Sequence, residues 1–254
     1  MDKPKKNGEK LIIVGAGESA EIAYEYFTYD SPYEIKAFAV EKEYLKEYKL
    51  YDLPVVPFEE VHLLYPVDEY KAFVAIAQTK LNRLRTRLYY ETKNKGYQFV
   101  SYISSKAFVW RNVTIGENCF IFEHNVLQHH VKIGNNIVLW SGNHVGHRSI
   151  IKDNCFISSH VVIAGGSEIG ESCFIGINST INGAVKIARD CFISSGALLN
   201  KNTKKGEMYI GNPAKASKID SYRYFDVEDE IEDDIKKSGK EIYTEIEIEM
   251  PIEL

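Results

Sequence analysis

The sequence predicts a parallel β-helix preceded by a small α/β domain with a parallel sheet. Three observations carry that prediction. A six-residue periodicity runs unbroken from Ile103 to Leu199, four cysteines are spaced by multiples of 18, and a glycine-rich strand–turn–helix stands near the start.

The periodicity is the strongest of these. Every sixth residue from Ile103 to Leu199 is isoleucine, valine or leucine. An α-helix does not explain it, because six is not a multiple of 3.6. Four residues after each lies a second, mostly small column, from Ala107, Val113 and Cys119 to Ala197 and Thr203. One large and one small inward residue per hexapeptide suits a narrow triangular coil, with three hexapeptides to the turn. Cys119, Cys155, Cys173 and Cys191, separated by 36, 18 and 18 residues, then fall in one column as small core residues. No CxxC pair occurs, so zinc-ribbon and thioredoxin readings fail. Stacked coils pair through parallel strand hydrogen bonds about 4.8 Å apart, each coil burying its neighbour's interior.

The first hundred residues are organised differently. KLIIVGAGESA reads as a strand, a glycine-rich turn and the start of a helix, IKAFAVE as a second strand, and YKAFVAIA as a third. A helical run follows from Lys80 to Lys95, and YQFVSYI leads into the first coil. Gly15-Ala-Gly-Glu-Ser-Ala20 is a GxGxxA form of the nucleotide-binding turn: glycines let the backbone approach a phosphate, and the helix N-terminus favours its charge. Glu41 follows the second strand, where an acidic residue contacts a ribose or base. The expected organisation is a Rossmann-like nucleotide-binding domain over residues 1–100, a β-helix over 101–220 and an acidic extension over 221–254. That extension, with VEDEIEDDIKKSGK and TEIEIEMPIEL, reads either as a disordered tail or as a segment packing on a neighbouring subunit.

The composition suits this plan. With 254 residues, a net charge of -5 and 44% hydrophobic residues, the chain can bury a sizeable core and gives no sign of nucleic-acid binding. No apolar run approaches the roughly 20 residues of a membrane span, so an intracellular, cytoplasmic protein is expected.

The six-residue frame gives each histidine an address. Steps of 18 through His147 give Arg111, His129, His147, Gly165, Gly183 and Lys201, and the adjacent column reads Asn112, His130, Arg148, Gly166, Ala184 and Asn202. Histidines thus stack on one strip with glycine and alanine above them. Such small residues expose backbone N–H groups and form a trough able to take a pantetheine arm.

The units Ile-Gly-Glu-Asn-Cys-Phe, Ile-Gly-Asn-Asn-Ile-Val and Ile-Gly-Glu-Ser-Cys-Phe resemble the repeats of left-handed β-helix acyltransferases. Joined to a short Rossmann-like domain, and closing on Tyr209-Ile-Gly-Asn-Pro-Ala-Lys215, the chain resembles the nucleotide-sugar N-acetyltransferases and the related sialic acid O-acetyltransferase group over residues 10 to about 220. The resemblance implies a left-handed coil, a homotrimer with active sites at subunit interfaces, acetyl-CoA as cosubstrate, no metal, and a nucleotide-linked amino sugar as acceptor. It makes His147 the general base, taking a proton from the sugar amine as it attacks the thioester, and has the Gly165 N–H meet the developing oxyanion. Gly165, Gly166, Gly183, Ala184, Lys201 and Lys215 are then expected to hold acetyl-CoA. Gly15, Gly17, Glu18, Ser19, Glu41, His129 and His144 are expected to meet the sugar nucleotide. The sequence departs from the family in two places: Arg148 stands where an acidic residue follows the base, and Phe156 where many relatives carry a further histidine. His124, His130 and His160 read as surface or interface residues, and His62 as structural.

Other functions remain open from the residues. O-acetylation of a sugar or sialic acid hydroxyl would use the same coil. A γ-type carbonic anhydrase shares the coil and holds zinc with three histidines, but has no nucleotide-binding domain. A non-catalytic scaffold would bind no acetyl-CoA.

Overall fold

The computed structural model describes residues 6–227. Its first part is a five-stranded sheet flanked by helices: β1 (Lys10–Val14), α1 (Glu18–Asp30), β2 (Glu34–Val40), β3 (Lys49–Leu50), β4 (Leu53–Pro57), α2 (Val61–Leu64), β5 (Tyr70–Val74) and α3 (Arg83–Asn94). The strand order is β3-β4-β2-β1-β5, parallel except for the β3–β4 hairpin. β1 shows why the sheet is covered on both sides. Leu11 and Ile13 pack with Ala20, Ala23 and Phe27 of α1, while Ile12 and Val14 face Leu88 and Tyr89 of α3.

One strand stands outside the sequence reading, and one boundary is corrected. Leu53–Pro57 is a strand although its prolines argue against one; it borders only the two-residue β3 on its outer side, where few ladder bonds depend on a prolyl N–H. The helix expected from Lys80 begins at Arg83, because Lys80, Leu81 and Asn82 all take positive φ.

From Tyr102 the chain winds into triangular coils of two-residue parallel strands. One face carries Tyr102, Phe120, Val138, Phe156, Phe174 and Phe192 outward and is termed the aromatic face. The next carries Phe108, Val126, His144, Val162, Thr180 and Leu198, the histidine face. The third carries Thr114, Lys132, Ile150, Glu168 and Lys186, the charged face. The large inward column behaves as read from sequence: Ile121, Leu139, Ile157, Ile175 and Ile193 are each 0% exposed, as are all four cysteines of the small column.

The backbone shows a third column. Every sixth residue from Asn118 to Gly196 takes positive φ, between +54° and +77°. Each corner therefore turns on a left-handed residue, a region that glycine enters freely and that asparagine, aspartate and histidine enter more readily than most. His124 (φ 59°), His130 (φ 59°) and His160 (φ 58°) all occupy this column, as does Arg148 (φ 58°). Three of the seven histidines thus sit where a corner must turn.

The first domain docks on the aromatic face and on the corner behind it. Asn118, Asn136 and Asn154 form a buried ladder in which each Nδ2 donates to the next Oδ1 at 2.8 Å, and Asn118 Oδ1 accepts the Val74 N–H at 2.7 Å. The basic start of α3 is spent on the same corner. Arg83 meets buried Asp190 at 2.7 Å, and Arg85 donates to the Asn136 and Cys155 carbonyls at 2.7 and 3.0 Å. Burial pulls the Arg85 pKa down to about 10, so it stays charged at neutral pH among carbonyl dipoles. Phe27, Phe73, Tyr102 and Phe120 complete the seam with ring centroids 5.0–6.3 Å apart.

At the far end, Met208–Ile210 extends the aromatic face and α4 (Ser221–Phe225) closes on it. Ser221 Oγ donates to the Gly206 carbonyl at 2.8 Å, and the Tyr222 hydroxyl donates to Asp190 at 2.8 Å. The remainder of the acidic extension, residues 228–254, lies outside the described residues. No described helix is long and apolar enough to cross a membrane.

Candidate active site

The corner between the histidine and charged faces holds the residues singled out in the sequence. Backbone bonds establish the stacking: Arg148 N–H donates to the His129 carbonyl at 3.0 Å, Gly166 N–H to His147 at 2.8 Å, and Ala184 N–H to Gly165 at 3.1 Å. His129 and His147 are exposed, and their rings lie parallel, 7° apart, with centroids 5.4 Å apart. His129 meets His130 edge-on, also at 5.4 Å. Desolvation, then the neighbouring His130, His147 and Arg148, hold the His129 pKa below the ordinary histidine value.

Gly165 has a different part from the open trough expected of it. A Cβ added there would stand 2.7 Å from both ring nitrogens of His147, so the imidazole itself lies against the Gly165 α-carbon. Gly146 is closed by backbone instead of side chain, because a Cβ would meet the backbone nitrogen of Gly165 at 2.5 Å. The Gly-His pair is therefore a packing unit. Open space begins beyond it, at Gly166, where a Cβ would meet nothing within 4 Å, and at Gly183.

Among the described residues the His129, Gly165 and Gly183 N–H groups at this corner find no acceptor, and that of Gly165 lies next to the His147 ring. In the equivalent position on another corner, the Glu117 N–H is taken by Asn135 Oδ1 at 3.0 Å and the Asn135 N–H by Asp153 Oδ1 at 2.8 Å, each acceptor being the side chain one coil above. Gly165 has Gly183 above it, which has no side chain. Among the described residues the half-buried Gly165 N–H finds no acceptor. The His147 N–H does find one, Gln128 Oε1 at 2.9 Å.

The other expected residues are more scattered. His144 lies on the histidine face, between Val126 and Val162, one residue before the corner. Lys201 is exposed at the top of the His147 column. Lys215 is exposed in a short strand paired with Ile210, at the end of the coil rather than in the column. His160 stacks over Gly142 on a different corner. Among the described residues no group of three or more His, Cys, Asp or Glu side chains is arranged to hold a metal ion.

A second concavity lies at the C-terminal ends of β1 and β2. Gly15, Ala16, Gly17, Val40, Glu41, Tyr44, Ile76 and Leu84 line a cleft of about 250 Å³. Gly15 has φ +124° and a Cβ would strike the Ala75 carbonyl at 2.6 Å, so only glycine fits. Gly17 caps α1, and the first turn of that helix opens at Glu18. Ser19 faces elsewhere, into a small space against Phe120, Trp140 and Phe156 at the seam. Glu41 lines the cleft, but Arg87 grips both its oxygens, at 2.9 and 3.0 Å. Arg87 was missed in the sequence because it lies 46 residues from Glu41 with no periodicity connecting them. Tyr44, at the rim, carried no motif.

Residues 130–165 and 166–201 each match the family model for the bacterial transferase hexapeptide (six repeats). No curated protein matches the sequence. Among solved structures, a single-histidine mutant of perosamine N-acetyltransferase from Caulobacter crescentus, in complex with CoA and GDP-perosamine, is 22% identical with a TM-score of 0.74, over 83% of this chain and 97% of that one. The acetyltransferase domain of PglB from Neisseria gonorrhoeae is 20% identical with a TM-score of 0.72, over 82% and 100%. WeeI from Acinetobacter baumannii is 20% identical with a TM-score of 0.69, over 82% and 99%. At these identities the likeness is one of fold. The chain accordingly carries hexapeptide repeats of the bacterial transferase type and has the architecture shared with these structures, a Rossmann-like α/β domain followed by a left-handed parallel β-helix.

Proposed function

We propose that the protein is an acetyl-CoA-dependent N-acetyltransferase acting in the cytoplasm on a nucleotide-linked amino-deoxy sugar, a precursor for glycan assembly. The observation that carries this reading is the unclaimed Gly165 N–H beside the exposed His147 imidazole. It supplies a proton acceptor and an oxyanion donor side by side at the mouth of a side-chain-free column. The amine nitrogen attacks the thioester carbonyl while His147 takes the amine proton. The Gly165 N–H stabilises the oxygen as it becomes negative. Collapse expels the CoA thiolate, which recovers the proton from the imidazolium, leaving an acetamide and free CoA. Gly166, Gly183 and Ala184 give the pantetheine arm its bed, and Lys201 and Lys215 offer cations to its phosphates.

The nucleotide is assigned to the cleft at Gly15, Gly17 and Glu41, with the Glu18 and Ser19 amides at the helix N-terminus available to the diphosphate. In a triangular prism, the corner bearing His147 is the edge across from the aromatic face, and the first domain covers that aromatic face. A single chain thus keeps its cleft and its His147 on opposite sides. We assign the working site to two neighbouring copies in a homotrimer, with His129 and His144 beside the acceptor. The outward row of the histidine face supports such packing, since Phe108 is 51% and Val162 42% exposed. The solved structures of similar fold, containing CoA with GDP-perosamine or acetyl coenzyme A, support the substrate pairing.

The test is CoA release from acetyl-CoA with a panel of UDP-, GDP- and dTDP-linked amino sugars. Transfer to at least one is expected, with a loss of about 10²–10⁴-fold in His147→Ala. Wild-type turnover in that variant would remove His147 as the base. Transfer only to hydroxyl acceptors would make the enzyme an O-acetyltransferase.

A further inference from the structure

We propose that His129 is a positioning residue for His147. Its ring, stacked flat beneath the His147 ring, presses that ring against the Gly165 α-carbon and does the orienting work that an adjacent carboxylate would otherwise do. The inference rests on His147 being the base.

Arg148 follows the base, and its exposed side chain leaves the corner on a left-handed residue with φ 58°. It cannot accept a hydrogen bond from an imidazole. Among the described residues no side chain bonds the His147 ring. An exposed histidine with no bonding partner would ordinarily sample several rotamers, which is poorly suited to a base that must meet one amine proton. Packing supplies the restraint instead. Above, Gly165 leaves room for the flat of the ring and nothing more, since a Cβ would stand 2.7 Å from both ring nitrogens. Below, the His129 ring lies within 7° of parallel at 5.4 Å.

His129 is itself held. Its carbonyl accepts the Arg148 N–H at 3.0 Å, and His130, which meets its ring edge-on, is tied to Asn112 by a 2.9 Å bond from its own N–H. Desolvation, and then the neighbours that face it, His130, His147 and Arg148, hold its pKa below the ordinary histidine value.

The experiment compares His129→Ala, His129→Phe and His147→Ala in the full chain. It measures kcat and KM with the acceptor found in the panel, and records the His147 Cε1–H resonance of the free protein. His129→Ala is expected to lower kcat roughly tenfold while the KM for acetyl-CoA stays within about twofold, because a loosened ring misplaces the base without removing a contact assigned to acetyl-CoA. His129→Phe, which keeps a flat ring, should recover most of that loss. In His129→Ala the His147 resonance should shift as the stacked ring's field is removed, and it should broaden.

If His147→Ala is inactive while His129→Ala keeps wild-type kcat, the positioning role falls and the base assignment stands. If His147→Ala is fully active, the base assignment falls instead. An unmoved His147 resonance in His129→Ala overturns the stack itself, whatever the activity.

Discussion

Two adjacent-coil glycines offer a test that separates packing of the His147 ring from packing of the coil. In Gly165→Ala the new methyl would strike His147 Cε1 and stand 2.7 Å from Nδ1 and Nε2, whereas ordinary contact begins at 3.4 Å, so the ring must retreat by about 1 Å. The obstacle is an exposed side chain that can swing into solvent, and the fold should tolerate the change within about 0.5 kcal/mol. The chemistry should not, because a displacement approaching 1 Å costs up to about 10²-fold in rate; a drop of roughly 10- to 100-fold in kcat is expected. In Gly146→Ala the methyl meets the Gly165 backbone nitrogen at 2.5 Å and the Gly165 α-carbon at 2.9 Å, and neither can move without opening the coil. That variant should lose roughly 1–3 kcal/mol of stability. CoA release at saturating substrates, with urea denaturation of both variants, makes the comparison. A Gly165→Ala protein with wild-type kcat would refute the account of the His147 ring resting on Gly165. Equal destabilisation of the two variants would refute the division between side-chain and backbone contact.

Other consequences follow from the core, the seam and the first coil. Ile157→Ala, at a fully buried position mid-stack, should cost about 2–5 kcal/mol in denaturant titration. Asp190 receives Arg83, Arg189 and Tyr222 at 2.7, 3.0 and 2.8 Å, and Asp190→Ala should destabilise by roughly 3–5 kcal/mol, with the loss felt in both domains because the group joins α3, the coil and α4. Burial raises the Asp30 pKa, but bonds from Tyr102, Ser105 and Ser104 outweigh it and leave the carboxyl below its ordinary 3.8. A depressed folded pKa contributes stability that is fully present above the unfolded value and lost as pH falls through the folded one. Wild type and Asp30→Asn should therefore differ in Tm above pH 3.8 and converge below it.

Much of the fold was legible because the coil is a local object. Each hexapeptide buries its own inward isoleucine against the same residue one turn away, so the pattern is written into the chain at fixed intervals. The histidines were less legible. Their density around residues 143–160 invited a metal or catalytic reading, yet His160 and, earlier, His124 and His130 lie in the left-handed corner column. The signal was available: in the six-residue frame these histidines share their address with Asn118, Asn136, Gly142 and Asn154. The helical run Lys80–Lys95 was legible only as a helix. Nothing in its spacing told that Arg83 and Arg85 are consumed by the coil corner.

What the sequence determined by itself was every contact that repeats: the inward columns, the cysteine stack and the alignment of His129, His147, Gly165 and Gly183. The short strand–glycine–helix unit around Gly15 belongs with them, since its turn depends on neighbours a few residues away. What only the tertiary structure decided was every contact with no period. Arg87 closes on Glu41, the Asn118 ladder takes up the Val74 amide, and the first domain covers the aromatic face, across the prism from His147. Such pairings, that of Arg83 with Asp190 included, join segments 44 to 107 residues apart, and they are set by which surfaces remain to be buried once the local elements have formed.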